Sequence, residues 1–184
     1  YTQMRQLTSG YLRVKDPEGT KHTVEFKDNP KLDALVETLR EIPEDKKVIV
    51  FTEYKITGAI VEKRLKAEKI RCCRMFSGTS NKRKVFDQFK EDPKMRVMIG
   101  SRTVAKSVNP QRACHHMILY ETPSSPKERN QLERRLARTG QKHRPYFRDL
   151  VVRGTIDERI LQSLVDGQDL FDKLLDGKEK LKKV

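Results

Sequence analysis

Apolar positions along the chain change their period several times, and each change predicts an element. "YLRV" and "HTVEF" alternate apolar and polar residues on either side of "KDPEGTK". The Asp-Pro-Glu-Gly run supplies turn chemistry, so this stretch predicts a small β-hairpin. Asn29 is placed to cap a helix with Pro30 at its first position, and Leu32, Leu35, Val36 and Leu39 recur at helical spacing until "EIPEDKK" stops it. The rhythm then shifts to "KVIVF" (Lys47 to Phe51), a short β-branched run, followed by a helical pattern through Ile60, Val61 and Leu65 and by "KIRCCRM", a second strand candidate. Two parallel strands need a crossover, so strand, helix, strand predicts the start of a parallel sheet.

The alternation continues with a helix from about Asn81 to Glu91, the strands "RVMIG" and "HHMILY", a helix from Pro126 to about Thr139, and the strand "YFRDLVV". Continuous apolar runs such as "VIVF" and "VMI" suit strands covered by helices on both faces. The fold expected is α/β, a doubly wound three-layer domain with a mainly parallel sheet, plus the N-terminal hairpin and a C-terminal helical tail. In the tail, Thr155 and Glu158 form a capping-box pattern, and Gly167 separates that helix from a second one over "QDLFDKLL". The expected division is a lead-in with its hairpin over 1–30, the main domain over 31–153 and C-terminal helices over 154–184.

Charge adds a partner class. The 184 residues carry 40 Lys and Arg against 26 Asp and Glu, a formal +14. Such an excess points to a polyanion, although Lys-rich faces also serve solubility alone. Cys72, Cys73 and Cys114 are odd in number with two adjacent, which predicts free thiols in a reducing compartment. No run approaches the roughly 20 apolar residues needed to cross a bilayer, and "YTQMRQLTSG" lacks the apolar core of a signal peptide. The expectation is a soluble intracellular protein without membrane contact, and a first residue Tyr1 without initiator Met predicts a piece of a longer one. Cys114, His115 and His116 are consecutive, so in a strand their side chains point to alternate faces and do not converge as metal ligands. No metal is expected there.

Candidate chemistry concentrates in "QLERRLARTGQ". Ser125, Pro126 and Glu128 occupy the cap, first and third positions of a capping box, and Gly140 is placed to end the helix. Gln131, Arg135 and Arg138 fall at i, i+4 and i+7 on one face, while Leu132 and Leu136 form a stripe that can dock on the sheet. Guanidinium is permanently charged and presents a planar fork to phosphate oxygens, so such a pair can stabilise charge on a transferred phosphoryl group. Spacing alone leaves a solvated basic face open as the other reading.

The same stretch resembles motif VI of the Swi/Snf family of helicase-like DNA translocases, at Gln131, Arg135, Arg138, Gly140 and Gln141. Further segments match in order. "KVIVFTEY" resembles motif IV with Phe51 and Tyr54, "MFSGTSNKRKVFDQF" resembles the loop and helix that follow with Gly78 and Phe89, "GSRTVAKSVNPQRACHHMILYETPSSP" resembles motif V and its next strand, and "LVVRGTIDERI" resembles the closing strand and helix. "MRQLTSGYL" with "NPKLDAL" is similar to the lead-in of phage-type relatives.

The resemblance implies the second RecA-like lobe of an ATP-dependent double-stranded DNA translocase. It implies Arg135 and Arg138 as arginine fingers, with Gln131, Gly140 and Gln141 assisting at the nucleotide. DNA-backbone contacts are implied for Ser101, Arg102 and Thr103 in the motif V loop, and for Lys82, Arg83 and Lys84 at a helix start. ATP and Mg²⁺ are implied to sit mainly in an upstream lobe, since this chain has neither the Gly-rich Gly-Lys-Ser/Thr loop nor an Asp-Glu magnesium motif. The chain by itself is therefore expected not to hydrolyse ATP, and its place is the cytoplasm of a bacterial or phage-infected cell, or a nucleus.

Departures accompany the match. Aligned on Asn109, Val104, Ala105 and Ser107 stand where the family's motif V has glycines, which would be costly for Val104 unless the loop is built differently. Ser124 and Ser125 replace a Trp-Asn pair, and Arg134 replaces a common acidic residue. Aromatics are few, with no Trp, so a base-stacking platform for single strands is not expected. Three alternatives stay open: a lobe of another superfamily-two helicase branch, a non-catalytic nucleic-acid-binding or docking lobe, and a RecA-like scaffold without nucleic acid. DEAD-box enzymes read His-Arg, variable, Gly-Arg at this place, unlike the Gly140-Gln141 ending.

Overall fold

The computed structural model of the chain describes residues 1–167, and the helix expected over "QDLFDKLL" lies outside them. The chain begins with α1 (Thr2–Thr8), the hairpin of β1 (Tyr11–Lys15) and β2 (Lys21–Glu25), and α2 (Pro30–Glu41). It continues through β3 (Val48–Phe51), α3 (Lys55–Ala67), β4 (Cys72–Met75), α4 (Lys82–Glu91), β5 (Val97–Gly100) and α5 (Arg102–Ser107). A 3-10 turn (Pro110–Arg112) leads into β6 (His116–Leu119), α6 (Pro126–Leu136), β7 (Tyr146–Asp149) and α7 (Ile156–Val165).

The sheet order is β4-β5-β3-β6-β7, with every pairing parallel. Alternation along each strand divides the core. Val48, Val50, Val97, Ile99 and Ile118 face α2 and α3, where Leu35, Leu39, Val61 and Leu65 close the layer. Ile49, Phe51, Met98, Met117 and Leu119 face the other way, against Phe86 and Phe89 of α4, Val104 of α5, and Leu132 and Leu136 of α6. Both faces of the central strands are dry, which is why β3 and β5 read as unbroken apolar runs.

Asn29 caps α2 as expected, its side chain accepting from Leu32 N at 3.2 Å. The hairpin also forms where the alternation places it, turning through Gly19 at φ +86°. Helix α1 was not legible. Seven residues are too few to hold a helix alone, and "TQMRQLT" buries the polar Arg5 and Gln6 rather than an apolar stripe. Its neighbour is α7, whose Ile156 and Ile160 pack with Tyr1 and Leu164. The tie is polar as well as apolar: Lys31 at the start of α2 and Asp157 at the start of α7 meet at 2.6 Å, with 3% and 9% of their side chains exposed.

The ends of α6 differ from expectation. The helix stops at Leu136 instead of reaching Thr139, because Ala137 leaves helical geometry at ψ 67°. The Gln141 amide then donates to the freed Leu136 carbonyl at 3.3 Å and to the Cys114 carbonyl at 3.0 Å. Gly140, at φ +94°, closes the turn in which Gln141 N donates to Arg138 O. Arg138 is thus a turn residue and not the third member of a helical i, i+4, i+7 set.

At the start of α6, Ser125 is the cap residue, but its side chain makes no capping bond. Glu128 reaches Arg102 instead, at 2.6 Å, which is a stronger partner than a backbone amide. The box on α7 forms in shifted form, with Thr155 accepting from Asp157 N and Glu158 accepting from Gly154 N.

Candidate functional site

Helix α6 docks through Leu132 and Leu136 and turns its other side outward. An open groove along that side is lined by Lys127, Asn130, Gln131, Arg134, Arg135 and Arg138. Past the helix end, the turn keeps Arg138 beside Arg134 and Arg135, so the groove survives the early stop. Among the described residues, Arg134, Arg135 and Arg138 have no carboxylate partner. Arg129 on the same helix contrasts with them: it pairs with Glu133 at 2.5 Å and with both oxygens of Asp149. Three neighbouring arginines left uncompensated set up a field that attracts phosphate oxygens.

Of the residues expected to assist at a nucleotide, Gln131 lines this groove. Gly140 shapes the turn, and the side chain of Gln141 is committed to the main-chain carbonyls of Leu136 and Cys114.

The motif V loop leaves β5 at its C-terminal end. Ser101 and Thr103 are half-buried there, and Arg102 is exposed. The Arg102 guanidinium is gripped by Glu53, just after β3, and by Glu128 of α6. Beneath them, Glu121 is 1% exposed and accepts from Ser9 Oγ, Glu53 N, Tyr54 N and Thr57 Oγ1. These four donors offset the cost of burying a carboxylate and fix the chain that follows β3. Sequence reasoning missed Glu53, Glu121 and the Arg129–Asp149 pair, and read Glu128 only as a capping residue. Only the i, i+4 spacing of Arg129 and Glu133 was a readable signal.

Val104 does not carry the strain its alignment with a glycine suggested. Among the described residues the one non-glycine at positive φ is Lys69. The loop is wound into α5, and Val104 is buried at 1% exposure. A Cβ on Gly100 would lie 2.2 Å from Val104 Cγ2, so glycine at the end of β5 makes room for valine here. Val104→Gly is expected to cost about 2–4 kcal/mol from lost burial and helix propensity. A urea midpoint equal to that of the unaltered chain would contradict this packing role.

Lys82, Arg83 and Lys84 open α4, where Asn81 accepts from Lys84 N at 2.9 Å. Arg83 and Lys84 are exposed and Lys82 is half-buried. Helix α4 follows β4 and the loop of Ser101 to Thr103 follows β5, and these two strands are paired neighbours in the sheet. The two expected DNA-contacting sets therefore leave neighbouring strands on the rim where the strands end, while Arg135 and Arg138 lie toward the rim where they begin.

At that second rim, the expectation that consecutive residues diverge fails for His115 and His116. His115 sits in a bend before β6, not in the strand, and its ring comes within 4.3 Å of His116. Among the described residues no group of three His, Cys, Asp or Glu side chains is arranged to hold a metal ion. The three thiols are free, and burial pushes them up, to about 11 for Cys72 and about 12 for Cys73 and Cys114. They are protonated at neutral pH and act as small apolar groups. Among the described residues no helix is long and apolar enough to cross a membrane.

Comparison with known proteins gives the family and the fold. Residues 30–140 match the family described as the helicase conserved C-terminal domain. The chain is 29% identical over 147 residues to the uncharacterized ATP-dependent helicase YqhH of Bacillus subtilis (strain 168), covering 80% of the chain and 26% of YqhH. It is 28% identical over 179 residues to the DNA repair and recombination protein RAD54B of Mus musculus, covering 94% of the chain and 20% of RAD54B. The chain thus spans about a quarter or less of these relatives. Among solved structures, the C-terminal part of the Fun30 ATPase domain superposes with a TM-score of 0.68 at 27% identity, covering 77% of this chain and 46% of that one. The Pyrococcus furiosus Hef helicase domain, at 24% identity and a TM-score of 0.59 over 79% of this chain and 29% of that one, shares the fold.

Proposed function

Because the chain belongs to the helicase conserved C-terminal domain family of superfamily two and has the fold of its RecA-like lobe, we propose that it is the second motor lobe of an ATP-dependent double-stranded DNA translocase. The observation that carries the reading is the groove on α6, where Arg134, Arg135 and Arg138 stand together without a carboxylate partner among the described residues. Arg135 and Arg138 act as arginine fingers, with Gln131 beside them. ATP and Mg²⁺ are held mainly by an upstream lobe, and closure of the two lobes brings the groove to the phosphates. Gln141 and Gly140 contribute by holding the turn that presents Arg138.

Duplex contact is assigned to the opposite rim, through Ser101, Arg102, Thr103 and the start of α4. The reading is tested by ATP hydrolysis in the longer protein that contains this chain, with and without duplex DNA. Hydrolysis that duplex does not stimulate would sink the DNA half of the proposal, and absence of hydrolysis would sink the motor half.

A separate expected outcome concerns DNA alone. Replacing Lys82, Arg83 and Lys84 together by Gln should weaken duplex binding and flatten its salt dependence by about 0.9 in log–log slope for each phosphate no longer neutralised. An unchanged slope would return these residues to a solvated helix start.

One observation favours a second reading, in which the lobe binds nucleic acid without driving a motor. Arg102 is held by Glu53 and Glu128, so a phosphate must compete with two carboxylates for it. Duplex binding by a longer protein that lacks ATP hydrolysis would select that reading.

A further inference from the structure

Four rings run side by side where β6 and β7 begin. The centroid of His143 lies 4.7 Å from that of His115, His115 lies 4.3 Å from His116, and His116 lies 5.2 Å from Tyr146 with planes 13° apart. Sheet register builds part of this run, because His116 and Tyr146 are partners across the parallel β6–β7 pair. Strand β7 is the sheet edge among the described residues, and Tyr146 on it is 50% exposed. The turn after α6 builds the rest: His143 N donates to Gln141 Oε1 at 3.2 Å, which brings that exposed ring beside His115.

The run borders a hollow rich in positive charge. Lys46, Arg112 and Lys142 line it together with His115 and His143, and Asp45 is the one acid among its lining residues. Asp45 is taken up by Lys46 at 2.6 Å, whereas Arg112 and Lys142 have no carboxylate partner among the described residues. The two inner rings, His115 and His116, add little charge. Burial, with His115, Arg148 and Lys46 nearby, pulls His116 down to about 4, and burial and His143 lower His115. At neutral pH the His115 and His116 imidazoles offer flat apolar faces.

We propose that this ring run with its flanking Arg112 and Lys142 is a binding site for an unpaired nucleotide, its base stacking on the exposed Tyr146 end of the run and its phosphate meeting the two cations. A duplex hides its base faces in its own stack, so the site distinguishes unpaired bases from the paired DNA assigned to the other rim. The inference goes beyond the motor reading and stands without it. Two sources can supply the same chemistry, a single strand or a free nucleotide such as the one an adjoining motor site would hold.

The test uses the chain with a fluorescein-labelled oligothymidine of on the order of 12 nucleotides, read by anisotropy at physiological salt, and with AMP read by calorimetry. The unaltered chain is expected to bind at least one of them. Tyr146→Val keeps a β-forming side chain at the edge, and is expected to weaken that binding by about 5-fold to 150-fold with an unchanged far-UV circular dichroism spectrum. Tyr146→Phe is expected to bind as tightly as the unaltered chain. Loss of oligothymidine binding identifies a strand as the source, and loss of AMP binding alone identifies a free nucleotide. No binding of either probe overturns the proposal. So does a Tyr146→Val chain that binds normally while Arg112→Gln with Lys142→Gln does not, since that pattern is charge attraction without stacking.

Discussion

Arg138→Ala in the longer protein is expected to lower duplex-stimulated ATP hydrolysis by about a thousandfold or more while duplex binding stays within about twofold. The magnitude follows from what the residue offers. Its guanidinium is permanently charged, exposed, and without a carboxylate partner among the described residues, so no internal ion pair has to break before it meets a phosphate. Lysine keeps the charge but loses the planar fork, so Arg138→Lys should recover only a small part of the rate. Arg134→Ala removes equal charge from the same groove and serves as the control for a general field effect. If Arg134→Ala and Arg138→Ala fall equally, the groove acts only as a field. If Arg138→Ala turns over like the native protein, Arg138 belongs to a solvated face and the finger assignment fails.

The second large effect concerns folding. Lys31→Met is expected to destabilise the chain by about 3–5 kcal/mol, because it leaves the Asp157 carboxylate buried without its counter-charge. Burial pulls the Lys31 ammonium below its ordinary value, and Asp157 opposes that pull. Asp157 also accepts from Thr8 Oγ1 at 3.1 Å and Val152 N at 3.3 Å, while Lys31 Nζ lies 5.3 Å from the centre of the Tyr120 ring. One carboxylate therefore joins α1, α2, the strand β7 exit and α7. Replacing both partners, as Lys31→Met with Asp157→Leu, should restore most of the loss, since a buried pair contributes little net stability over an apolar pair of similar size. Urea unfolding measures both. A single variant within about 1 kcal/mol of the unaltered chain would show that the pair does not anchor α7.

The elements legible in advance were those whose signal is local. Asn29 and Pro30 announce the start of α2, and "VIVF" and "VMI" announce strands that no water reaches. Apolar period and cap chemistry are properties of a few adjacent residues, so they survive without tertiary context. Helix α1 failed that test, since it buries the polar Arg5 and Gln6 and is tied by Thr8 to Asp157, far along the chain. The Glu128 capping box failed for a related reason. Its pattern was present, but Arg102, brought in from another loop, was a stronger partner.

The candidate site divides in the same way. Gln131, Arg135 and Arg138 were readable as a group, and they do share a groove. That Arg138 sits in a turn, that Gln141 braces the turn from within, and that Val104 fills space left by Gly100 were not readable. Each depends on atoms from different elements meeting at contact distance.

By itself, the sequence determined the α/β class, the order of strands β3 to β7 along the chain, the excess of positive charge and the stretch that carries the arginines. Tertiary structure decided which arginines are neutralised by carboxylates, where α6 ends, and that four rings scattered over His115 to Tyr146 form one surface. Periodicity is written in neighbours, whereas ion pairing and ring contact depend on which distant segments the sheet order brings together.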